Sequence, residues 1–174
     1  MLEDSAAFQR ELVLLLPRLR RFALALTRNR DAAEDLLQST VERALRKWDS
    51  FEKGRKMDSW TFKIMQNCWF DTRRSAASGL KFSDDAVDVA GEDGRNVVES
   101  REEFARARVA FAALPAEQRA VMALVVLDGL SYADAAEVLR VPIGTVMSRL
   151  ARARASLVAR VRTDAPLEDV HKKS

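Results

Sequence analysis

Apolar residues in this chain recur at helical spacing in almost every long stretch and alternate as a strand would in none, so helix is the regular structure open to it. Phe8, Leu12, Leu15, Leu19, Phe22 and Leu26 form the first such stripe. Pro17 falls inside it, and a helix-interior proline removes a hydrogen bond and crowds the preceding turn, so this helix is expected to be kinked or broken near Leu16. Asp31, with Glu34 three residues on, has the form of a capping box and is expected to open a second helix. Leu36, Leu37, Val41, Ala44, Leu45 and Trp48 supply its buried face. A polar loop over 51–58 carries Lys53, Gly54, Arg55 and Lys56, and a third helix is expected over 59–74.

From 75 to 96 the period fails, and Ser, Gly, Asp and Ala replace it, which is the composition of a flexible connector. Helical spacing returns over 99–114, with Phe104, Val109, Phe111 and Leu114 apolar. Pro115 suits the start of a following helix and Gly129 its end. Ser131 suits the cap of a short helix ending near Leu139, and a three-residue turn leads to a last helix with Val146, Leu150, Leu157 and Val161 facing inward. The expectation is an all-α protein of two small helical domains, 1–75 and 98–163, joined by a flexible acidic linker over 76–97 and followed by a tail over 164–174. The second domain has the pattern of a helix-turn-helix.

Composition removes most enzymatic chemistries. The 174 residues hold one cysteine, Cys68, and one histidine, His171. No disulfide, zinc-type cluster, hydrolytic triad or Gly-rich phosphate loop can be assembled from them, and no cofactor is expected. Cys68 sits in an apolar helical pattern and reads as a small buried hydrophobe. The longest apolar runs, 12–16 and 121–127, fall short of the roughly 20 residues that span a bilayer. The N-terminus lacks a basic stretch followed by an apolar core, and a soluble cytoplasmic protein without membrane insertion is expected. Net charge is only +3, but it is unevenly spread. Arg18, Arg20, Arg21, Arg28 and Arg30 make the first segment basic, Asp84, Asp85, Asp88, Glu92, Asp93 and Glu99 make the middle acidic, and Arg140, Arg149, Arg152, Arg154, Arg160 and Arg162 make the end basic. Two basic lobes about an acidic connector suit a polyanion held at two places; solvated helix faces would have the same composition.

Residues 131–139 and 143–150, across their short turn, form the helix-turn-helix pattern. Ala135 and Ala136 are small enough for a second helix to cross closely, and Val141 and Val146 suit the angle between the two. The second helix then offers Gly144, Thr145, Ser148, Arg149 and Arg152 near its N-terminal half, the part that enters a major groove. Hydroxyls and a helix N-terminus suit phosphates, and arginine bonds guanine edges bidentately. The run Gly-Thr-Val-Met-Ser-Arg-Leu-Ala-Arg-Ala-Arg at 144–154 resembles the recognition helix of extracytoplasmic-function (ECF) sigma factors, and Leu-Pro-Ala-Glu-Gln-Arg at 114–119 resembles the opening of the same domain. Asp-Leu-Leu-Gln-Ser-Thr at 35–40 is similar to that family's core-polymerase-binding helix. Residues 59–74 resemble the helix that melts and reads the −10 promoter element. Gln66 stands where a basic residue often precedes the Asn in the family, and Cys68 and Trp69 replace smaller aliphatic residues.

The residue chemistry fits what the resemblance implies. Asp35, Gln38, Ser39 and Glu42 lie away from Leu37, Val41 and Leu45, or at the edge of that face, and a polar, partly acidic helix face docks well on a basic partner; an ordinary solvated face with pairs such as Glu42–Arg46 is the alternative. By resemblance the partner is core RNA polymerase. The third helix carries Trp60, Phe62, Trp69 and Phe70, some of which must be core. Single strands are held by aromatic stacking and cations, and an extruded base is read by polar groups. Asn67 and the loop 53–58, with Lys53, Arg55 and Lys56, are thus expected to form a base-reading pocket alongside Asp71. Lys63, Arg73 and Arg74 are expected to hold phosphates. Trp60 and Trp69 suit either core packing or base contact. The resemblance implies promoter DNA, duplex at the −35 element and single-stranded at the −10 element, and an anti-sigma factor as regulator, the acidic linker threading the polymerase cleft. Rival readings are a polymerase-independent helix-turn-helix regulator, a sigma mimic that titrates an anti-sigma factor, and an enzyme.

Overall fold

The computed structural model describes residues 2–52, 54–77 and 98–163, with side chains placed over 4–52, 54–75 and 104–161. The tail, Lys53 and all but the first two residues of the expected linker lie outside them.

Helix α1 (Leu2–Thr27) runs unbroken through Pro17. The proline leaves the carbonyl four residues earlier without a donor, but that residue, Val13, is exposed, so water can satisfy it while the buried stripe continues on the other side. Phe8, Leu12, Leu19, Phe22 and Leu26 are all buried, as their spacing requires, and Leu15 is half-buried. The helix ends where Arg28 takes a left-handed conformation with φ 59°. Asn29, in extended backbone, then caps α2 (Arg30–Arg46) by accepting from the Ala32 amide. Asp31 therefore sits inside the first turn and not at the cap, and Glu34 turns to Arg20 at 2.7 Å instead of closing a box.

After a single 3-10 turn (Trp48–Ser50), α3 (Met57–Ala77) starts two residues earlier and ends three later than its apolar period suggests. Phe62 and Met65 are fully buried in it, and Phe22 meets Phe62 edge-on at 5.3 Å, an arrangement that contributes about 0.5–1.5 kcal/mol beyond simple burial. In α2, Leu36, Leu37 and Ala44 are buried as expected, Val41 is half-buried and Leu45 is exposed; Trp48, expected on the same face, is half-buried in the 3-10 turn beyond the helix end.

The C-terminal half comprises α4 (Val98–Ala112), α5 (Ala116–Met122), a π-helical segment (Ala123–Leu127), α6 (Tyr132–Leu139) and α7 (Ile143–Thr163). Pro115 stands at the start of α5, and Gly129, at φ 72°, makes the turn out of the π segment that an L side chain would strain. Leu114, Leu124, Val138, Val146 and Leu150 form this half's core. Phe104 and Val109 do not join it: Val109 is 67% exposed, since α4 packs along α7 by its opposite side. Val161 is likewise exposed beyond the end of the packed part of α7.

The two halves share one apolar cluster. α1 lies against α5 and the π segment, and α3 lies against α6. Among the described residues there is no strand, so the all-α expectation holds, and the two halves, whose mutual orientation the sequence leaves open, pack together.

Candidate nucleic-acid interface

The helix-turn-helix is built from local rules. Ser131 accepts from the Asp134 amide and starts α6, and Arg140, left-handed at φ 54°, ends it. The Val141 amide returns to the Ala136 carbonyl at 3.1 Å, and the Thr145 amide to Pro142, so the turn is fully bonded on its inner side. Ala135, Val146, Leu150 and Ala153 are buried where α6 and α7 cross. That stripe leaves Gly144, Ser148 and Arg152 on the solvent face of the first turns of α7, with Thr145 half-buried beside them. Arg152 donates to the Ser148 hydroxyl at 3.4 Å. Arg149 differs: its Nη2 lies 2.7 Å from the Glu117 carboxylate of α5 and its side chain is only 21% exposed. It is drawn back towards its own domain in the free chain.

On α2, Asp35, Gln38, Ser39 and Glu42 are all exposed, opposite buried Leu37 and Ala44. Gln38 Nε2 donates to Glu42 Oε1 at 3.0 Å, whereas Arg46 reaches the Glu42 carbonyl and not its carboxylate, so the Glu42–Arg46 ion pair of the alternative reading does not form.

The α3 residues divide. Trp60 packs against Phe8 and Phe51, with centroids 5.9 and 5.2 Å away, which ties one face of the indole into the core. Trp69 is half-buried, with the Arg73 guanidinium 5.8 Å above its ring. Asn67 is half-buried, and Arg73 and Arg74 are exposed near the helix end. Asp71 accepts from Arg43 at 3.0 Å, and this bond holds the Arg43 guanidinium deeper in its cationic range. Gln66 is buried and faces the core, so its departure from the family's basic residue falls on a position turned away from solvent. Cys68 is buried as expected, and burial pushes its thiol up. In the loop, Arg55 pairs with Glu52 at 2.8 Å.

Lys56, the residue just before α3, and Lys63 within it both reach across to α6. Lys56 Nζ lies 2.7 Å from Asp134 and Lys63 Nζ 3.0 Å from Glu137. The Lys56 pair raises the lysine and lowers the Asp134 carboxyl, each chiefly through the shared hydrogen bond. A second set of bonds joins α1 to the C-terminal half. The fully buried Asp128 carboxylate accepts from Arg18 at 3.3 Å and Arg21 at 2.8 Å, and Arg18 also bonds Asp58 of α3 at 3.1 Å. Arg119, buried, donates to the carbonyls of Ala25 at 2.7 Å and Leu26 at 3.4 Å, and to Leu114.

Comparison with known proteins matches both halves in order. Residues 12–66 match the family model of the Sigma2 domain of PhyR, and residues 104–157 match that of Sigma-70, region 4. The ECF RNA polymerase sigma factor EcfG of Rhodopseudomonas palustris is 35% identical over 88% of this chain and 84% of its own length. The chain belongs to the ECF sigma factor family. A second ECF sigma factor, SigM of Mycobacterium tuberculosis, is 38% identical over 80% of this chain and 69% of its own. Among solved structures, the sigma factor RpoE of Bartonella quintana, determined in complex with the anti-sigma factor NepR, superposes with a TM-score of 0.74 at 34% identity, covering 91% of this chain and 99% of that one.

Membership in the ECF family bears out the resemblance read from 35–40, 59–74, 114–119 and 144–154. Sequence reasoning did not find the residues that join the halves: Arg18, Arg21, Asp58, Arg119, Asp128, Asp134 and Glu137. Their partners are remote in sequence, and several acceptors are backbone carbonyls, which no side-chain pattern records. The run at 114–119 was the one available pointer, since it ends in Arg119.

Proposed function

We propose that this chain is a sigma factor that binds core RNA polymerase and directs promoter recognition and transcription initiation under the control of an anti-sigma factor. The observation that carries the reading is the ordered match of both halves to sigma-factor family models within one chain. The N-terminal domain, 1–75, docks polymerase through Asp35, Gln38, Ser39 and Glu42, whose exposure on one side of α2 supports that role. The C-terminal domain, 98–163, places the first half of α7 in the −35 major groove, where Gly144, Ser148 and Arg152 face outward with Thr145 beside them. Arg149 joins them on exchanging Glu117 for DNA. The N-terminal domain then holds the −10 strand through Lys53, Arg55, Lys56, Lys63, Asn67, Asp71, Arg73 and Arg74, with half-buried Trp69 among them as a candidate stacking surface. Trp60 serves mainly as support, as its packing on Phe8 and Phe51 suggests.

Strand separation needs no chemical step in this scheme, because binding free energy favours the unpaired bases. The site of action is the cytoplasm, where the polymerase works, and among the described residues no helix is long and apolar enough to cross a membrane. An anti-sigma partner is proposed because the RpoE relative was solved bound to one. The test is reconstituted transcription: the chain with core polymerase is expected to initiate at promoters recovered by sequencing co-purified DNA, and neither component alone should do so. Failure to associate with core enzyme, with tight binding to an anti-sigma protein, would instead assign the chain as a sigma mimic. Binding of duplex DNA as a dimer without polymerase would make it an independent regulator.

A further inference from the structure

Arg28, the residue after α1, and Arg108 of α4 line one cleft of about 340 Å³, together with Ala105, Val109, Ala112 and Ala113. Both arginines are half-buried, and the Nε atom of each is shut off from solvent without a hydrogen-bond partner. Neither guanidinium has an ion-pair partner among the described residues, whereas Arg18, Arg20, Arg21, Arg43, Arg55 and Arg149 all do. The lining holds no acidic side chain. Buried donors without acceptors have lost hydration and gained nothing for it, and two like charges facing one cleft repel, so this arrangement favours a counter-anion.

We propose that the cleft is a binding site for a small organic phosphate, a phosphomonoester whose head lies between Arg28 and Arg108 and whose body rests on Ala105, Val109 and Ala112. Charge selects the head group. A phosphomonoester carries close to two negative charges at neutral pH, which matches two guanidinium groups, while a carboxylate or a phosphodiester carries one and leaves an arginine uncompensated. Geometry agrees, since the guanidinium fork binds phosphate oxygens in pairs and uses the Nε–H that each arginine has spare. Size selects the body: the volume is near the lower end of the roughly 300–1,000 Å³ of small-molecule sites, so a single ring or sugar fits and a dinucleotide does not. The site shares no residue with the surfaces assigned above to polymerase and promoter, so it stands apart from that reading. Because one arginine follows α1 and the other belongs to α4, a ligand held by both also joins the two halves and raises the stability of the chain by linkage.

The test is a titration of the full chain with phenyl phosphate at pH 8, followed by NMR at the arginine Nε–H groups. Benzoate at equal ionic strength is the control, having the same ring and a single charge. Phenyl phosphate is expected to shift the Arg28 and Arg108 resonances and to bind at least about tenfold more tightly than benzoate. It should also bind more tightly than inorganic phosphate, which lacks the ring. Arg28→Gly suits the left-handed backbone there, at φ 59°, and Arg108→Gln keeps α4 helical; each should weaken phenyl phosphate binding at least about tenfold. Equal affinity for phenyl phosphate and benzoate, unmoved Arg28 and Arg108 resonances, or unchanged binding in both variants overturns the site. Displacement of phenyl phosphate by a short DNA duplex at equal phosphate concentration, with the same two resonances shifted, would give the cleft to the nucleic-acid backbone and overturn its assignment to a free ligand.

Discussion

Arg119 shows how one side chain can serve two domains. Its guanidinium is buried and donates to three carbonyls, two of them at the C-terminal end of α1, where the last carbonyls of a helix lack intrahelical donors and carry partial negative charge. The same side chain thus caps α1 and joins it to α5. Arg119→Ala is expected to destabilise the chain by about 2–3 kcal/mol in urea titrations, the range for hydrogen bonds to a charged group whose acceptors are left buried. Arg119→Lys should recover less than half of that, because one ammonium cannot address three acceptors in the guanidinium fork geometry. Arg152 is the contrasting case. It is exposed on α7, so Arg152→Ala should leave stability within about 0.5 kcal/mol while weakening −35 duplex binding by the holoenzyme by about 1–3 kcal/mol if it reads a base. A uniform loss across all duplex sequences would make it a phosphate contact. The exposed placement of Arg152 was legible in sequence because the outward face of a helix-turn-helix is set by local spacing. The bonding of Arg119 was not, since two of its acceptors lie more than ninety residues away and are backbone atoms.

Helix boundaries were legible in kind and less so in position. The capping-box pattern put the start of α2 at Asp31, whereas Asn29, two residues earlier, is the cap; both residue types cap well, so side-chain chemistry alone does not separate them. The choice falls to backbone geometry: Arg28 ends α1 in a left-handed conformation, Asn29 is extended, and the chain is already helical by Arg30. Asn29→Ala is accordingly expected to cost about 1 kcal/mol in thermal or urea unfolding, whereas Asp31→Ala should cost only the few tenths due to an acidic residue in a first turn. The reverse order would return the cap to Asp31. The same distinction explains the misplaced core residues. Periodicity identified the apolar stripes of α2, α4 and α7, but whether Leu45, Phe104, Val109 or Val161 is covered depends on which neighbour lies alongside. Leu19, Phe22, Val146 and Leu150, near the middle of their packed stripes, were read correctly because any packing of an amphipathic helix buries them.

At the scale of the whole molecule, charge distribution suggested two lobes engaging DNA separately, and the free chain instead turns part of that charge on itself. Arg18 and Arg21 of the basic first segment meet Asp128, and Lys56 and Lys63 meet α6. The consequence is thermodynamic coupling: with one apolar cluster spanning both halves, neither can unfold without exposing surface of the other, and the chain should unfold in a single cooperative transition. The sequence provides a way to see this, because all three tryptophans, Trp48, Trp60 and Trp69, lie in the N-terminal half. Tryptophan fluorescence therefore follows that half alone, while far-UV circular dichroism follows the helices of both. In the unsubstituted chain the two probes should give coincident urea curves. Asp128→Ala removes the acceptor shared by Arg18 and Arg21, a buried carboxylate whose partners are partly hydrated, and is expected to weaken the seam by about 1–2 kcal/mol. The fluorescence and dichroism midpoints should then separate, the denaturant slope of each falling because each half exposes less surface on its own. If the midpoints stay coincident while stability drops, Asp128 supports the fold of one half only, and coupling resides in Arg119 and the apolar contacts. Midpoints that already differ without any substitution would mean that the halves unfold independently in solution and that the shared cluster does not couple them.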